Sequence, residues 1–536
     1  MNDFLQDVTF AWRNALKKPA TVLLIVITLA LGIGVNTAMF SMAWRVLLAP
    51  LPYADAERLV KLEQNETENG QLDLEWSVPT FDDYARLEDV FSALLQYQNF
   101  PYTVLGADEP YLAQTGIVSW NYFAVLGIQP LLGSSFIAAH DAIDAEPVML
   151  LSYNFWMTHL GADPDIIGTN LEVQGVSRRV IGVLPDIAPY PHANDIWITA
   201  GNDPFRVYMG VDMSADRDNT FPTHVFGKLR EDISLADAER EVDLLARRLV
   251  TAYPDFYAED YTVALKTLRE EMVADSRISV VLLAGLAVLV LLIASANVAS
   301  LNLARIADRN QELAIRESVG ASPSRITRQL LTENMLLALI GGLAGLVVAW
   351  PCLRLLSDFA SGYTPLARDV GMDASLLLFA FAIAMLTGIL SGAISAFGER
   401  DINSALKEGG DKVTSSSGSV QRRQALLFMQ FALAFVALTV SALVVLSLYR
   451  LNNQDLGYDP DRILSLSMQF DIKPDDPLED VQRRSRVFIA RILQETSAIP
   501  GVEAVGILDR SPLLQSSRIS ERLTPFDVEG LPTDPD

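Results

Sequence analysis

Charge-poor apolar runs divide the chain. Ala20–Val35, Ile278–Ala304, Leu330–Val348, Ala374–Phe397 and Ala425–Leu448 are nearly devoid of Asp, Glu, Lys and Arg. Most approach the roughly 20 residues a helix needs to cross about 30 Å of hydrocarbon. The first becomes long enough by running on through Asn36 and Thr37 towards Leu48. The pattern predicts five membrane-spanning helices. Between the first two lies a polar, acidic stretch, residues 49–277, and a second polar stretch starts at 449. The order predicts a duplicated unit of one span, an ectodomain and three spans, with the second copy cut short. The expected fold class is a membrane α-helical bundle plus an extracytoplasmic α+β ectodomain, followed by the start of a second similar ectodomain.

Within 49–277 the patterns change from segment to segment. Glu57–Glu63 alternates apolar and polar, as a half-buried strand does. Val78–Leu95 has helical spacing, with Phe81, Tyr84, Leu87, Phe91 and Leu95 on one stripe. Leu171–Val183 reads as a hairpin around Gly175, and Val225–Leu229 as a strand. Ser234 caps a helix with Asp237 three positions on, and Leu235, Ala238, Val242, Leu245 and Leu249 form its buried stripe. Tyr261–Leu268 returns as a strand. Strand and helix at the start, then strand, helix and strand at the end, predict an α+β domain with a middle insertion.

Charge sets orientation and narrows the partners. Lys and Arg gather in the N-terminal stretch (Arg13, Lys17, Lys18), in the loop after the second span (Arg305, Arg309, Arg316, Arg325, Arg328) and after the fourth (Arg400, Lys407, Lys412, Arg422, Arg423). Short basic loops stay in the cytoplasm. The N-terminus is therefore expected inside and residues 49–277 outside, in a multi-pass protein of the cell inner membrane. The segments read as 1–19 cytoplasmic, 20–48 first span, 49–277 ectodomain and 278–400 a three-span domain with a cytoplasmic loop at 305–328. They continue as 401–424 linker, 425–448 fifth span and 449–536 incomplete second ectodomain. The net charge of −25 excludes nucleic acid as a partner, since backbone binding needs clustered Lys and Arg. Membrane lipid is the partner that the spans require. Cys352 is the single cysteine, so no intrachain disulfide forms.

Few residues carry chemistry. The four histidines, His140, His159, His192 and His224, are scattered without metal-ligand spacing. Phe155, Trp156 and Trp197 read as core aromatics. No HExxH, nucleophile elbow or GxxxxGK[ST] loop occurs, so neither catalytic nor cofactor-binding residues are expected in this chain. No ionisable group lies in the middle of a span, which argues against an ion relay. Asn36, Thr37, Asn297 and Asn302 are the polar residues near span ends. Gly341 with Gly345, and Gly388 with Gly392, form small-xxx-small pairs that predict close helix packing. Gly32, Gly34 and Ala38 give the first span a similar smooth face.

Three stretches resemble one family. They are LALGIGVNTAMFSMAWRVLLAPLPYADAERLVKL (Leu29–Leu62), VSWNYFAVLGIQPLLGSSF with its continuation to Asp186 (from Val118), and NVASLNLARIADRNQELAIRESVGASPSRITRQLLTENMLLALIGGLAGLVVA (Asn297–Ala349). Together they resemble the MacB/FtsX-type ABC transporter permeases and their periplasmic core domain, over nearly the whole chain. Residues from Gln421 restart the pattern, with LNNQDLGYDPDRILSLSM resembling the head of another core domain and Val481–Ala504 reading as helix, turn and strand. This is similar to permeases in which two four-span units are fused, and by that comparison the chain is C-terminally truncated. The resemblance implies a permease subunit of an efflux or export system. Its ATP would be bound and hydrolysed by a separate ABC ATPase. A second permease copy and a periplasmic or outer-membrane partner are further implied. Glu312–Ser322 would be an amphipathic helix meeting that ATPase through Glu312, Leu313, Ile315, Arg316, Val319 and Gly320. An FtsX-like regulatory coupler, a lipoprotein-release permease and a nonfunctional fragment are the alternatives.

Overall fold

The computed structural model describes residues 9–507 apart from 10, 14, 15, 18, 67–70, 107–109, 143, 187–190, 192, 204–216, 218, 219, 222, 275, 276, 309–322, 361–370, 372, 373, 408–416, 454–462 and 465–476. The chain divides into two compact units. One comprises residues 1–50 and 273–464, and the other residues 51–272 together with those from 465 onward.

The second unit is built on a mixed sheet. Its strands are β1 (Leu59–Glu66), β2 (Gln71–Leu72), β3 (Trp76–Ser77), β4 (Phe91–Leu105), β5 (Tyr111–Val118), β6 (Leu132–Gly133) and β7 (Val148–Leu151). They continue with β8 (Asn170–Val173), β9 (Val176–Val183), β10 (Ile196–Thr199), β11 (Thr220–Phe221), β12 (His224–Leu229) and β13 (Tyr261–Thr267). The main path is β13-β1-β12-β4-β5-β10-β7-β9-β6, with β2 beside β1 and β8 beside β4 and β9. β3 and β11 form a separate ladder. The 15-residue β4 joins two lobes: Phe91–Tyr97 pairs with β12, and Tyr97–Val104 with β5. The β8–β9 hairpin turns at Gln174 (φ 50°) and Gly175 (φ 75°), the two left-handed residues of a type I′ turn.

Each lobe has its own core. In the first, the helix Leu235–Ala252 lays Ala238, Val242, Ala246 and Leu249 against Val60, Leu62, Val263 and Leu265. The Ser234 hydroxyl starts this helix by accepting from the Asp237 N–H (3.2 Å) and donating to the Asp237 carboxylate (2.5 Å). In the second lobe, Phe155 and Trp156 pack with Val180, Ile196 and Ile198. Tyr97, where β4 passes between lobes, is fully buried against Tyr122, Trp197 and His224. Its hydroxyl accepts from the side-chain amides of Asn99 (3.2 Å) and Asn194 (3.1 Å). Burial pushes the Tyr97 pKa up to about 12.

Three local expectations fail, for identifiable reasons. The helix from Val78 ends at Ala85, and Phe91 and Leu95 belong to β4. The first half of β4 buries Leu94 and Gln98 on one face and Leu95 and Tyr97 on the other, so it shows no clean period-2 alternation to compete with the chance helical spacing. β1 is not half-buried: Lys61 and Glu63, its polar positions, are enclosed along with its apolar ones. The helix near the C-terminal end runs Leu478–Ser497, and Gly501 turns the chain at φ 97°, but residues 502–507 form no strand.

The first unit holds five helices long and apolar enough to cross a membrane: span 1 (Pro19–Leu48), span 2 (Arg277–Asn302), span 3 (Arg325–Asp358), span 4 (Ala374–Ala393) and span 5 (Leu427–Ser447). Ile25, Leu29, Ile33, Val298, Leu337, Ala338 and Ala384 form a shared core of spans 1 to 4. Spans 1 and 3 pack most extensively, then spans 3 and 4. Span 5 lies chiefly against span 2.

Candidate functional site

Glycine notches set how closely the spans approach. A Cβ on Gly34 would fall 2.6 Å from the Gly345 carbonyl oxygen and 2.9 Å from Val348 Cβ. A Cβ on Gly345 would sit 3.2 Å from both the Ala30 oxygen and the Gly34 nitrogen, and one on Gly341 would sit 2.6 Å from Leu29 Cβ. Spans 1 and 3 therefore meet backbone to backbone. Span 4 meets span 3 in the same way: a Cβ would fall 3.0 Å from Ala338 Cβ at Gly388 and 2.8 Å from Leu331 Cδ2 at Gly392. Gly342 faces Ala384 (2.9 Å), and Gly32 faces Ala294 of span 2 (2.7 Å). Contacts at this distance use van der Waals packing, the attraction left to helices once lipid removes the hydrophobic drive.

Polar groups inside the bundle bond within it. Asn36 donates to the Gly32 carbonyl (2.8 Å) and Thr37 to the Ile33 carbonyl (2.7 Å), each satisfied on its own helix. Both are buried within span 1 rather than placed at its end. Further polar side chains collect at the end of the bundle that leads to residues 309–322. There the Asn302 amide of span 2 donates to the Asn334 side-chain oxygen of span 3. Asn334 in turn donates to the Leu330 carbonyl (2.9 Å), and Gln430 of span 5 to Ser300 of span 2 (3.4 Å).

The α/β unit carries an ionic cluster on the strands nearest its chain ends. β1 is the first strand after span 1 and β13 the last before span 2. They pair antiparallel from Val60↔Thr267 to Glu66↔Tyr261. Lys61 Nζ lies 3.1 Å from Glu63, 2.9 Å from Asp73 and 2.9 Å from Glu271, the last on the helix Leu268–Val273. Glu63 also takes Lys266 of β13 at 2.5 Å. Burial pulls the Lys61 pKa down, but the Asp73 and Glu271 carboxylates outweigh it and hold it above its ordinary value. Burial likewise raises Glu63, yet Lys266 and Lys61 hold its carboxyl below the usual range.

The structure brings Gly341, Gly345, Gly388 and Gly392 into helix contacts. Glu312, Leu313, Ile315, Arg316, Val319 and Gly320 lie outside the described residues. Among the described residues no three His, Cys, Asp or Glu side chains gather as a metal site. His159 and His224 stack on aromatic rings, and His140 Nδ1 accepts from the Ile137 N–H (3.3 Å). Sequence reasoning missed Lys61, whose place in an alternating run gave no sign of burial. It also missed Asn334, whose signal was the polar run Thr332–Asn334 opening an apolar span.

Fold and site define a multi-span membrane protein in which tightly notched helices carry an α/β domain. Residues 22–245 match the family described as the MacB-like periplasmic core domain, and residues 284–404 the FtsX-like permease C-terminal domain. The chain belongs to the MacB/FtsX-type ABC transporter permeases. A pyoverdine export ATP-binding/permease protein, PvdT, of Pseudomonas syringae pv. tomato is 26% identical over 282 residues. The macrolide export ATP-binding/permease protein MacB of Escherichia coli K12 is 27% identical over 282 residues. Each match covers 52% of this chain and 40% of the relative, so the chain matches less than half the length of those proteins. The periplasmic region of MacB from Actinobacillus actinomycetemcomitans aligns with a TM-score of 0.31 and 11% identity, over 42% of this chain and 95% of that one.

Proposed function

We propose that this chain is the permease subunit of an ABC-type export system and that it works by mechanotransmission. An ATPase engages the loop 305–328 through Glu312, Leu313, Ile315, Arg316, Val319 and Gly320. Its ATP cycle displaces that loop, the spans move as rods, and the α/β domain changes shape on the far side. The N-terminus lies in the cytoplasm and the α/β domain outside, as the sorting of Lys and Arg requires. ATP is bound by the partner in this reading, and these 536 residues contain no GxxxxGK[ST] phosphate loop. A second permease copy and a periplasmic or outer-membrane partner complete the assembly.

The observation that carries this reading is the notched contact between spans 1, 3 and 4. Helices seated at Gly34, Gly345, Gly388 and Gly392 approach with no glycine side chain between them, and this close packing supports their moving together as one body. The named relatives are export proteins, which favours export over regulation without transport. Pull-down of the detergent-solubilised chain with the candidate ATPase tests it, beside a variant carrying Ile315→Asp and Val319→Asp. Binding lost in the variant supports Glu312–Ser322 as the coupling element. Equal binding moves the contact elsewhere, and no binding to either protein refutes the proposal.

A further inference from the structure

Spans 2 and 3 carry residues 309–322 between them yet make little backbone contact with each other. Each lies instead on spans 1 and 4. What joins them directly is a side-chain bond at the root of that loop, from the Asn302 amide to the Asn334 oxygen. Both residues are buried. Asn334 is also held from two other sides. Its amide donates to Leu330 of its own helix, and a Cβ on Gly392 or Gly388 of span 4 would lie 3.5 Å from Asn334 Cβ or 3.4 Å from its carbonyl oxygen. Two residues before Asn302, Ser300 accepts from Gln430 of span 5. Four spans thus meet at one polar level, next to the loop.

Amides are costly to bury among apolar helices, and a buried Asn pair is a known means of fixing which helix position faces which. An apolar pair at 302 and 334 would tolerate neighbouring registers, whereas an amide pair has one bonded geometry. We infer that Asn302 and Asn334 form a clasp that fixes the base of the loop, so that a displacement of the loop moves spans 2 and 3 together. They are positioning residues for the coupling proposed above, and their role in transmission rests on that reading.

The test uses the full chain in lipid nanodiscs with Cys352→Ser, Ile278→Cys and Leu355→Cys, the last two exposed on spans 2 and 3 and carrying spin labels. Pulsed electron paramagnetic resonance reads the distance distribution between them. Asn302→Ser and Asn334→Ser are the variants of choice, because serine in a helix satisfies its hydroxyl on its own backbone and does not reach across. Each is expected to widen the distribution about twofold, and the double variant no further, since both remove the same bond. Unchanged width in both single variants overturns the clasp, and so does a double variant whose width is the sum of the two. This arm needs no ATPase, so it stands apart from failure of the proposed function. With the ATPase bound, the ATP-driven shift in distance is expected to fall about fivefold in the serine variants at equal pull-down yield. A full-sized shift in a widened distribution overturns the transmitting role.

Discussion

Replacing Lys61 by methionine should be among the most damaging single changes in the α/β domain. Methionine keeps much of the buried aliphatic stem and removes the ammonium. Three carboxylates then stand around an apolar side chain where a cation stood at 3.1, 2.9 and 2.9 Å. Glu63 keeps Lys266, but Asp73 and Glu271 lose the ammonium that held them in place. Breaking a buried pair from one side costs about 3–5 kcal/mol. Asp73 and Glu271 are each 20% exposed, so partial solvation brings the expectation to about 3 kcal/mol. Urea unfolding of the full chain in detergent, followed by tryptophan fluorescence, reads the loss. Trp76, Trp120, Trp156 and Trp197 report on this domain. With a slope of about 2 kcal/mol/M, the midpoint falls by about 1.5 M. The triple variant Lys61→Met, Asp73→Asn, Glu271→Gln removes the stranded charge and should return to within about 1 kcal/mol of the parent. A Lys61→Met midpoint within about 0.3 M of the parent, or a triple variant as unstable as the single, would refute the reasoning.

Other expectations follow from the same geometry. Gly34→Ala drives a methyl against the Gly345 carbonyl and should lower resistance to unfolding in detergent by about 1–3 kcal/mol, whereas Gly285→Ala, with nothing within 4 Å, should be neutral or slightly stabilising; equal losses would remove the notch from the account. Gly116→Ala puts a Cβ 2.3 Å from the buried Trp197 ring and should cost about 2–3 kcal/mol, with a shift in tryptophan emission; an unchanged spectrum and urea midpoint would contradict it. Glu63 has a folded pKa below its unfolded value, so its contribution is full above the unfolded pKa and is lost as pH falls through the folded one. Thermal stability of the α/β domain should therefore decline under acid, and Glu63→Gln should flatten that slope; Asp195, raised by burial, works in the opposite sense and should be substituted in the control. Identical acid profiles for Glu63→Gln and parent would remove Glu63 from the explanation.

What could be read from the chain depended on whether a residue's environment is set locally. The spans were legible because about 20 uncharged apolar residues have few other homes. The cap at Ser234 and the turn at Gly175 were legible because each depends on a few neighbouring residues. Glycine spacing announced close packing, but which helix filled each notch depended on tertiary contacts: Gly345 faces span 1 while Gly388 faces span 3. β4 was misread because its first half buries residues on both faces and so loses its alternation, and chance then supplied a helical stripe. Lys61 was invisible for a related reason. Its burial is made acceptable by Asp73 and Glu271, 12 and 210 positions away, and no window on β1 contains both. Asn302 and Asn334 stand 32 positions apart and look like ordinary polar punctuation at span ends. Their pairing follows only once spans 2 and 3 are both laid against spans 1 and 4. The residues hardest to foresee are thus those that join elements distant in the chain. Under the coupling proposed above, the Asn302–Asn334 clasp is the position at which substitution should separate folding from transmission, whereas substitution of Lys61 acts on the folding of the α/β domain.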